Sequence, residues 1–203
     1  MSSQQPGLRP VRLPAADLNE KRIPVTHLPR RKWHRVHQSA YPAKFFSLNT
    51  NHRFSHPQCP YPFLYLGADP ATCFFERFGD ILYDHKLAIA NALWRAHGIS
   101  AMDVPPLPVC DLTNARTLSA LNVDLAALMS NRLSIPQEWG CAIQTHPANF
   151  RGIKFKSHFN NGFCLAIICR DEIEKRIKEK FIDALPANDA AADWLHDHRV
   201  SLY

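Results

Sequence analysis

Glu76 stands in an unusual setting, with Cys73, Phe74 and Phe75 before it and Phe78 after it. A lone carboxylate is expensive to bury, so one set among aromatics is either held by a basic partner or kept for chemistry. Other chemically able residues fall at strand ends or beside turns. Arg53 lies in a long loop and is either a binding group or the ion-pair partner of Glu76. Tyr65 lies in the apolar run Phe63-Leu64-Tyr65-Leu66, as a core aromatic or a ring for stacking. Ser157 precedes the turn-rich stretch His158-Phe159-Asn160-Asn161-Gly162, as a local cap or a positioned hydroxyl. Arg35 lies in the alternating run Trp33 to His37.

Several chemistries lack their signatures. With seven glycines the chain has no G-x-G-x-x-G, no P-loop and no G-x-S-x-G, so a Rossmann cofactor, a nucleoside triphosphate loop and the commonest serine-hydrolase elbow are unsupported. The closest of the eleven histidines are His34/His37, His52/His56 and His196/His198. None has H-E-x-x-H form or an adjacent cysteine pair, so no metal site is expected. Six scattered cysteines without a C-x-x-C pair predict free thiols in a reducing compartment.

The elements that must position these residues read as follows. Phe63–Leu66 is a strand, Gly67-Ala68 a tight turn, Asp69 a helix N-cap and Pro70 the first helical residue of a helix reaching about Phe78. Trp33–His37 is a strand, and residues 38–62 form a loop anchored by Phe45, Phe46 and Phe54. A second helix is expected from Asp84 to Ala96 and ends at Gly98. Val109–Leu112 is a strand, and Thr113-Asn114 caps helical packing through Leu118, Leu121, Leu125 and Leu128, with a break near Asn122. Asn131–Thr145 is expected to hold another helix. Gly152–Phe155 and the apolar run Phe163–Cys169 are strands. Asp171–Lys180 reads as a helix with acidic residues early and basic ones late. A helix near Ala190–Leu195 and a strand at Arg199–Tyr203 close the chain. This irregular mixture predicts a single α+β domain with a mixed sheet and flanking helices.

These residues carry a resemblance. Tyr65-Leu66-Gly67-Ala68-Asp69-Pro70 followed by Glu76 resembles the central motif of the RES-domain family, named for an arginine, a glutamate and a serine. Asn51-His52-Arg53-Phe54 lies where the family has its arginine, and Gly152-Ile153-Lys154-Phe155-Lys156-Ser157 resembles its glycine, strand and serine. Trp33-His34-Arg35-Val36 looks like its opening strand. The resemblance runs from about Trp33 to Cys169. It implies an ADP-ribosyltransferase-like fold over residues 33–203 and an NAD+-degrading toxin, with NAD+ as substrate, no recycled cofactor and a cognate antitoxin as partner. It also implies roles: Glu76 for the ribose or its developing charge, Arg53 or Arg35 for the pyrophosphate, Tyr65 for nicotinamide, and Ser157 for ribose or amide. Two departures stand out. The arginine motif lacks the family's glycines, and His158 follows Ser157 where a second arginine is common.

The net charge of +6 lies within residues 1–37; residues 38–203 carry sixteen groups of each sign. Residues 1–32, rich in proline, are expected as an extended basic arm. That arm is the one feature favouring nucleic acid, and the charge-neutral body argues against nucleic acid as a partner. No apolar run approaches the ~18–20 residues of a membrane span, and no secretory signal pattern opens the chain. A soluble cytoplasmic protein is therefore expected. Two rivals to NAD+ cleavage remain: an ADP-ribosyltransferase modifying a macromolecule through the same site, and a non-catalytic binding protein.

Overall fold

The computed structural model describes residues 12–84, 87–129 and 132–203. Its strands are β1 (Thr26–Leu28), β2 (Arg31–Gln38), β3 (Phe63–Gly67), β4 (Ala88–Ile89), β5 (His97–Val104), β6 (Leu107–Asp111), β7 (Gly152–Lys156), β8 (Phe163–Ile168), β9 (Lys178–Ala184) and β10 (Ser201–Leu202). Its helices are α1 (Pro70–Asp84), α2 (Asn91–Arg95), α3 (Ala115–Leu121), α4 (Leu125–Leu128), α5 (Ser134–Thr145), α6 (Ile173–Arg176) and α7 (Asp189–Asp197). Eight strands form one mixed sheet in the order β1-β6-β7-β8-β3-β2-β5-β9. Its pairs are antiparallel except β6 with β7.

The alternation of strand side chains divides the core. Phe63, Ile153, Phe155, Cys164, Ala166 and Ile168 meet Leu121, Leu128, Trp139 and Ile143 under α3 to α5. Val36 and Ile99 meet Phe74, Phe78, Trp94 and Trp194 under α1, α2 and α7. Trp33, Leu64, Leu66, Met102, Leu165 and Ile167 point to the other face, covered by Ala43, Ile173 and Ile177. This is the α+β architecture expected, with helices flanking a mixed sheet.

Several local expectations fail for physical reasons. The helix read over Asp84–Ala96 is replaced: α1 runs on to Asp84, Leu87 takes a left-handed φ of 63° that ends it, and β4 and the short α2 follow. Gly98 stops no helix. It sits inside β5, where a Cβ would stand 2.6 Å from the Phe181 ring. The helix read over Asp171–Lys180 is confined to Ile173–Arg176, and Lys178–Ala184 become the edge strand β9, paired with β5. The helix read from Asn131 begins at Ser134; Asn131 itself lies outside the described residues. The last strand shrinks to Ser201–Leu202. Of the three loop phenylalanines, Phe54 is buried, Phe46 partly so, and Phe45 is exposed.

The arm reading falls partly outside the described residues, since residues 1–11 are not among them. The remainder lies on the body. Leu18 and Ile23 are buried in the core under α3 to α5, β1 pairs with β6, and the Trp139 indole N–H donates to the Arg12 carbonyl at 3.1 Å. The basic run is partly committed: Arg30 grips Asp103 with two nitrogens at 2.6 and 2.9 Å, and Arg31 stacks over Trp33. All six cysteines are free thiols. Among the described residues no helix is long and apolar enough to cross a membrane.

Candidate active site

The site is built where β3 turns into α1. Asp69 caps the helix as its sequence predicts: Oδ1 accepts the Thr72 N–H at 2.7 Å and Oδ2 accepts the Thr72 hydroxyl at 3.0 Å. Gly67 permits the tight turn, because a Cβ there would stand 2.6 Å from Cys73 Sγ. Helical spacing then puts Thr72, Glu76 and Asp80 on one face. The opposite side of α1, with Phe74 and Phe78, is fully buried and fixes the helix to the sheet.

The loop from β7 to β8 lies against that polar face. Asn160 Nδ2 donates to Thr72 Oγ1 at 3.3 Å, and Phe159 packs over Gly79, where a Cβ would come within 2.5 Å of its ring. The loop closes on itself through the Ser157 N–H to the Gly162 carbonyl at 2.7 Å. Ser157 is thereby buried, 3% exposed, and its hydroxyl donates to Glu76 Oε1 at 2.6 Å. The Phe159 N–H donates in turn to Ser157 Oγ at 3.2 Å.

Glu76 is open to solvent on one side and crowded by protein on the others, so water reaches it. Burial pushes its carboxyl pKa above the ordinary range; the Ser157 hydrogen bond and the charges of Arg53 and His158 pull the other way. Arg53 is brought to the site by its neighbour. Phe54 is driven into the core against Phe155, at 5.0 Å between centroids, and over Gly140. Arg53 Nη1 donates to the Leu128 carbonyl of α4 at 2.9 Å, while its charge faces Glu76.

Tyr65 is held by its hydroxyl, which accepts the Phe54 N–H at 3.0 Å and lies 3.2 Å from Ser55 Oγ. Its ring packs on the His52 imidazole, 5.0 Å between centroids. Arg35 flanks the opening on the other side. β2 and β3 pair only at His34 with Gly67, and the sheet is split beyond that point. Arg35 Nη1 donates to the Ala43 and Phe45 carbonyls at 2.7 and 2.8 Å, and burial lowers its pKa to about 10 against the opposing charge of Glu179.

The structure thus puts Glu76 and Ser157 in direct contact, sets Arg53 between Glu76 and Tyr65, and places Arg35 on the strand across the split. Sequence reasoning assigned no site role to His52, Arg77, Asp80 or His158. The Asp80 signal was its helical offset of four from Glu76, and the His158 signal its place after Ser157. His52 becomes visible only once the loop is folded over Tyr65. A cavity of about 430 Å³ between Tyr61, Gln144, His146 and Arg170 lies toward the other end of β3 and holds none of these groups. Among the described residues no cluster of His, Cys, Asp and Glu is fit to hold a metal ion.

The site thus joins a split mixed sheet to a carboxylate–hydroxyl pair at the helix that follows β3, with the charge of Arg53 facing the carboxylate. The sequence matches the RES domain over residues 28–194, and the chain belongs to the RES-domain family. Its fold is shared with a chain of the M. tuberculosis MbcT–MbcA toxin–antitoxin complex at a TM-score of 0.62 and 16% identity, over 87% of this chain and 93% of that one. No curated protein sequence matches it.

Proposed function

We propose that this chain cleaves the bond between nicotinamide and ribose in NAD+, releasing nicotinamide and passing ADP-ribose to water or phosphate. The observation that carries the reading is the 2.6 Å hydrogen bond from Ser157 to Glu76 in a RES-family chain. The nicotinamide of NAD+ leaves from an already cationic nitrogen, so no strong acid has to protonate it. The demand falls on the ribose, whose transition state carries positive charge. An ionised Glu76 stabilises that charge or holds the ribose hydroxyls. Ser157 favours the ionised form and fixes its orientation, and Arg53 supports it from a second direction. Arg53 and Arg35 are the groups for the pyrophosphate, since guanidinium forks match phosphate oxygens. Tyr65, backed by His52, offers the aromatic surface for nicotinamide. NAD+ is then a substrate and not a recycled cofactor.

The fold shared with a chain from a toxin–antitoxin complex supports a toxin role, with a cognate antitoxin that covers the cleft. Six free thiols fit action in a reducing cytoplasm, where NAD+ is held. The test is nicotinamide release from NAD+ by purified protein beside Glu76→Gln and Arg53→Ala. Release by the wild type, lost in a folded Glu76→Gln, is the expected result. A folded wild type that releases nothing, with NAD+ alone or with candidate acceptors, overturns the reading.

A further inference from the structure

We infer that Arg77, oriented by the buried His97, is a third anion-binding residue of the site, beside Arg53 and Arg35, and grips a phosphate of a nucleoside diphosphate group. The inference rests on reading the cleft as a dinucleotide site. Arg77 follows Glu76 on α1, so it leaves the helix about 100° away and faces a different part of the surroundings. Its Nε donates to His97 Nε2 at 2.9 Å. His97 is fully buried at the start of β5, and its Nδ1 lies 2.7 Å from the Leu93 carbonyl of α2. A carbonyl only accepts, so Nδ1 carries the proton and Nε2 offers its lone pair to Arg77. Phe78 packs edge-on against the imidazole at 5.6 Å. The guanidinium is therefore aimed by a neutral base in a fixed tautomer.

That arrangement leaves a charge unanswered. Arg30 has Asp103, Arg151 has Asp171, Arg53 faces Glu76 and Arg35 faces Glu179. Arg77 is half-buried, burial disfavours its charged form, and among the described residues no carboxylate offsets this. A partly desolvated cation without a counter-charge is unfavourable on its own, and its complement is an anion from outside the chain. The surroundings agree. Burial pushes the His52 pKa down, the charges of Arg35 and Arg77 add to that, and His52 packs on Tyr65. Positive groups therefore converge beside Tyr65, while Glu76 and Ser157 hold the reacting end. In a dinucleotide the pyrophosphate lies several atoms from the scissile bond, which suits this division.

The experiment uses the full chain carrying Glu76→Gln, so that nothing turns over, with ADP and adenosine as probes in calorimetric titrations. ADP is expected to bind more tightly than adenosine. Arg77→Met is expected to remove at least about tenfold of the ADP affinity, leave adenosine unchanged and flatten the salt dependence. His97→Phe, which removes the acceptor but leaves Arg77, is expected to weaken ADP less. On an otherwise wild-type chain, Arg77→Met is expected to raise the KM for NAD+ and largely preserve kcat. Thermal unfolding checks that the variants fold; should Arg77→Met fail, Arg77→Gln keeps a donor for His97 and gives the same readout. Unchanged ADP affinity in a folded Arg77 variant, or no preference for ADP over adenosine, overturns the inference. If wild type releases no nicotinamide but ADP binding depends on Arg77, the anion site stands and the proposed reaction falls. If release occurs and ADP ignores Arg77, the reverse holds.

Discussion

Replacing Ser157 with alanine removes one oxygen and, with it, the bond that favours the charged form of Glu76. A hydrogen bond to an ionised group contributes about 1.5–3 kcal/mol. The Ser157 bond is short, at 2.6 Å, and its donor is buried, but the carboxylate is reached by water that can partly replace the lost donor. The lower end of the range therefore applies, about 1.5 kcal/mol, which is roughly a tenfold loss of rate if the interaction persists in the transition state. The second consequence concerns pH. Burial already holds the Glu76 pKa above the ordinary carboxylate range, and Ser157 is the largest of the groups opposing that rise. Removing it moves the pKa further up, so the acid limb of kcat/KM shifts to higher pH. Initial rates of nicotinamide release between about pH 5 and 9 report both effects. An acid limb that stays in place or moves down refutes this coupling. A rate loss equal at every pH assigns the hydroxyl to the substrate instead of the carboxylate.

Glu76→Gln is expected to abolish release and yet unfold at a temperature no lower than wild type near neutral pH. A carboxyl with a raised folded-state pKa stabilises the fold fully below its unfolded pKa, and that stability is lost as pH rises through the folded pKa, so the permanently neutral amide gains there. Melting curves at about pH 7.5 and pH 4 test the sign, with the difference closing at the acid end. Gly79→Ala places a methyl within 2.5 Å of the Phe159 ring and should push the β7–β8 loop off α1, lowering activity more than stability; equal activity in a folded variant counts against the loop as support for Ser157. Phe74→Ala hollows the packing beneath α1, where the ring is fully buried, and should cost about 3–5 kcal/mol in denaturant unfolding. Deleting residues 1–28 removes the buried Leu18 and Ile23, each contributing about 1.5–3 kcal/mol, and uncovers the β6 edge. That truncation should destabilise the chain by several kcal/mol. A stable product would show that the segment only rests on the body.

The legible parts of this chain are those whose signals are local. Phe63–Leu66, Gly67, Asp69 and Pro70 spell strand, turn, cap and helix within eight residues, and the Asp69 bonds to Thr72 follow from that order. Asn122 breaks α3 from α4 through a left-handed φ of 53°, a conformation asparagine tolerates. The illegible parts depend on distant partners. His97–Val104 contains Gly98, Ser100 and Ala101 and lacks the β-branched density of an obvious strand, yet it pairs with β2 along all eight residues. Lys178–Ala184 carries charges that mimic a helix end, and only the free edge of β5 makes it a strand. The site divides in the same way. Glu76 was visible because its aromatic neighbours made a charge there costly, but naming Ser157, 81 residues away, as a site residue came from family likeness and not from spacing, and their direct contact was not read at all. Arg77 lies in the helix read from Pro70 and received no reading, because its partner His97 fell outside the elements as read, beyond the helix misread over Asp84–Ala96. With His97 placed just past a helix end, nothing marked it as a buried acceptor. The β5 pairing that the sequence failed to announce is the contact that buries His97, and burying His97 is what aims Arg77.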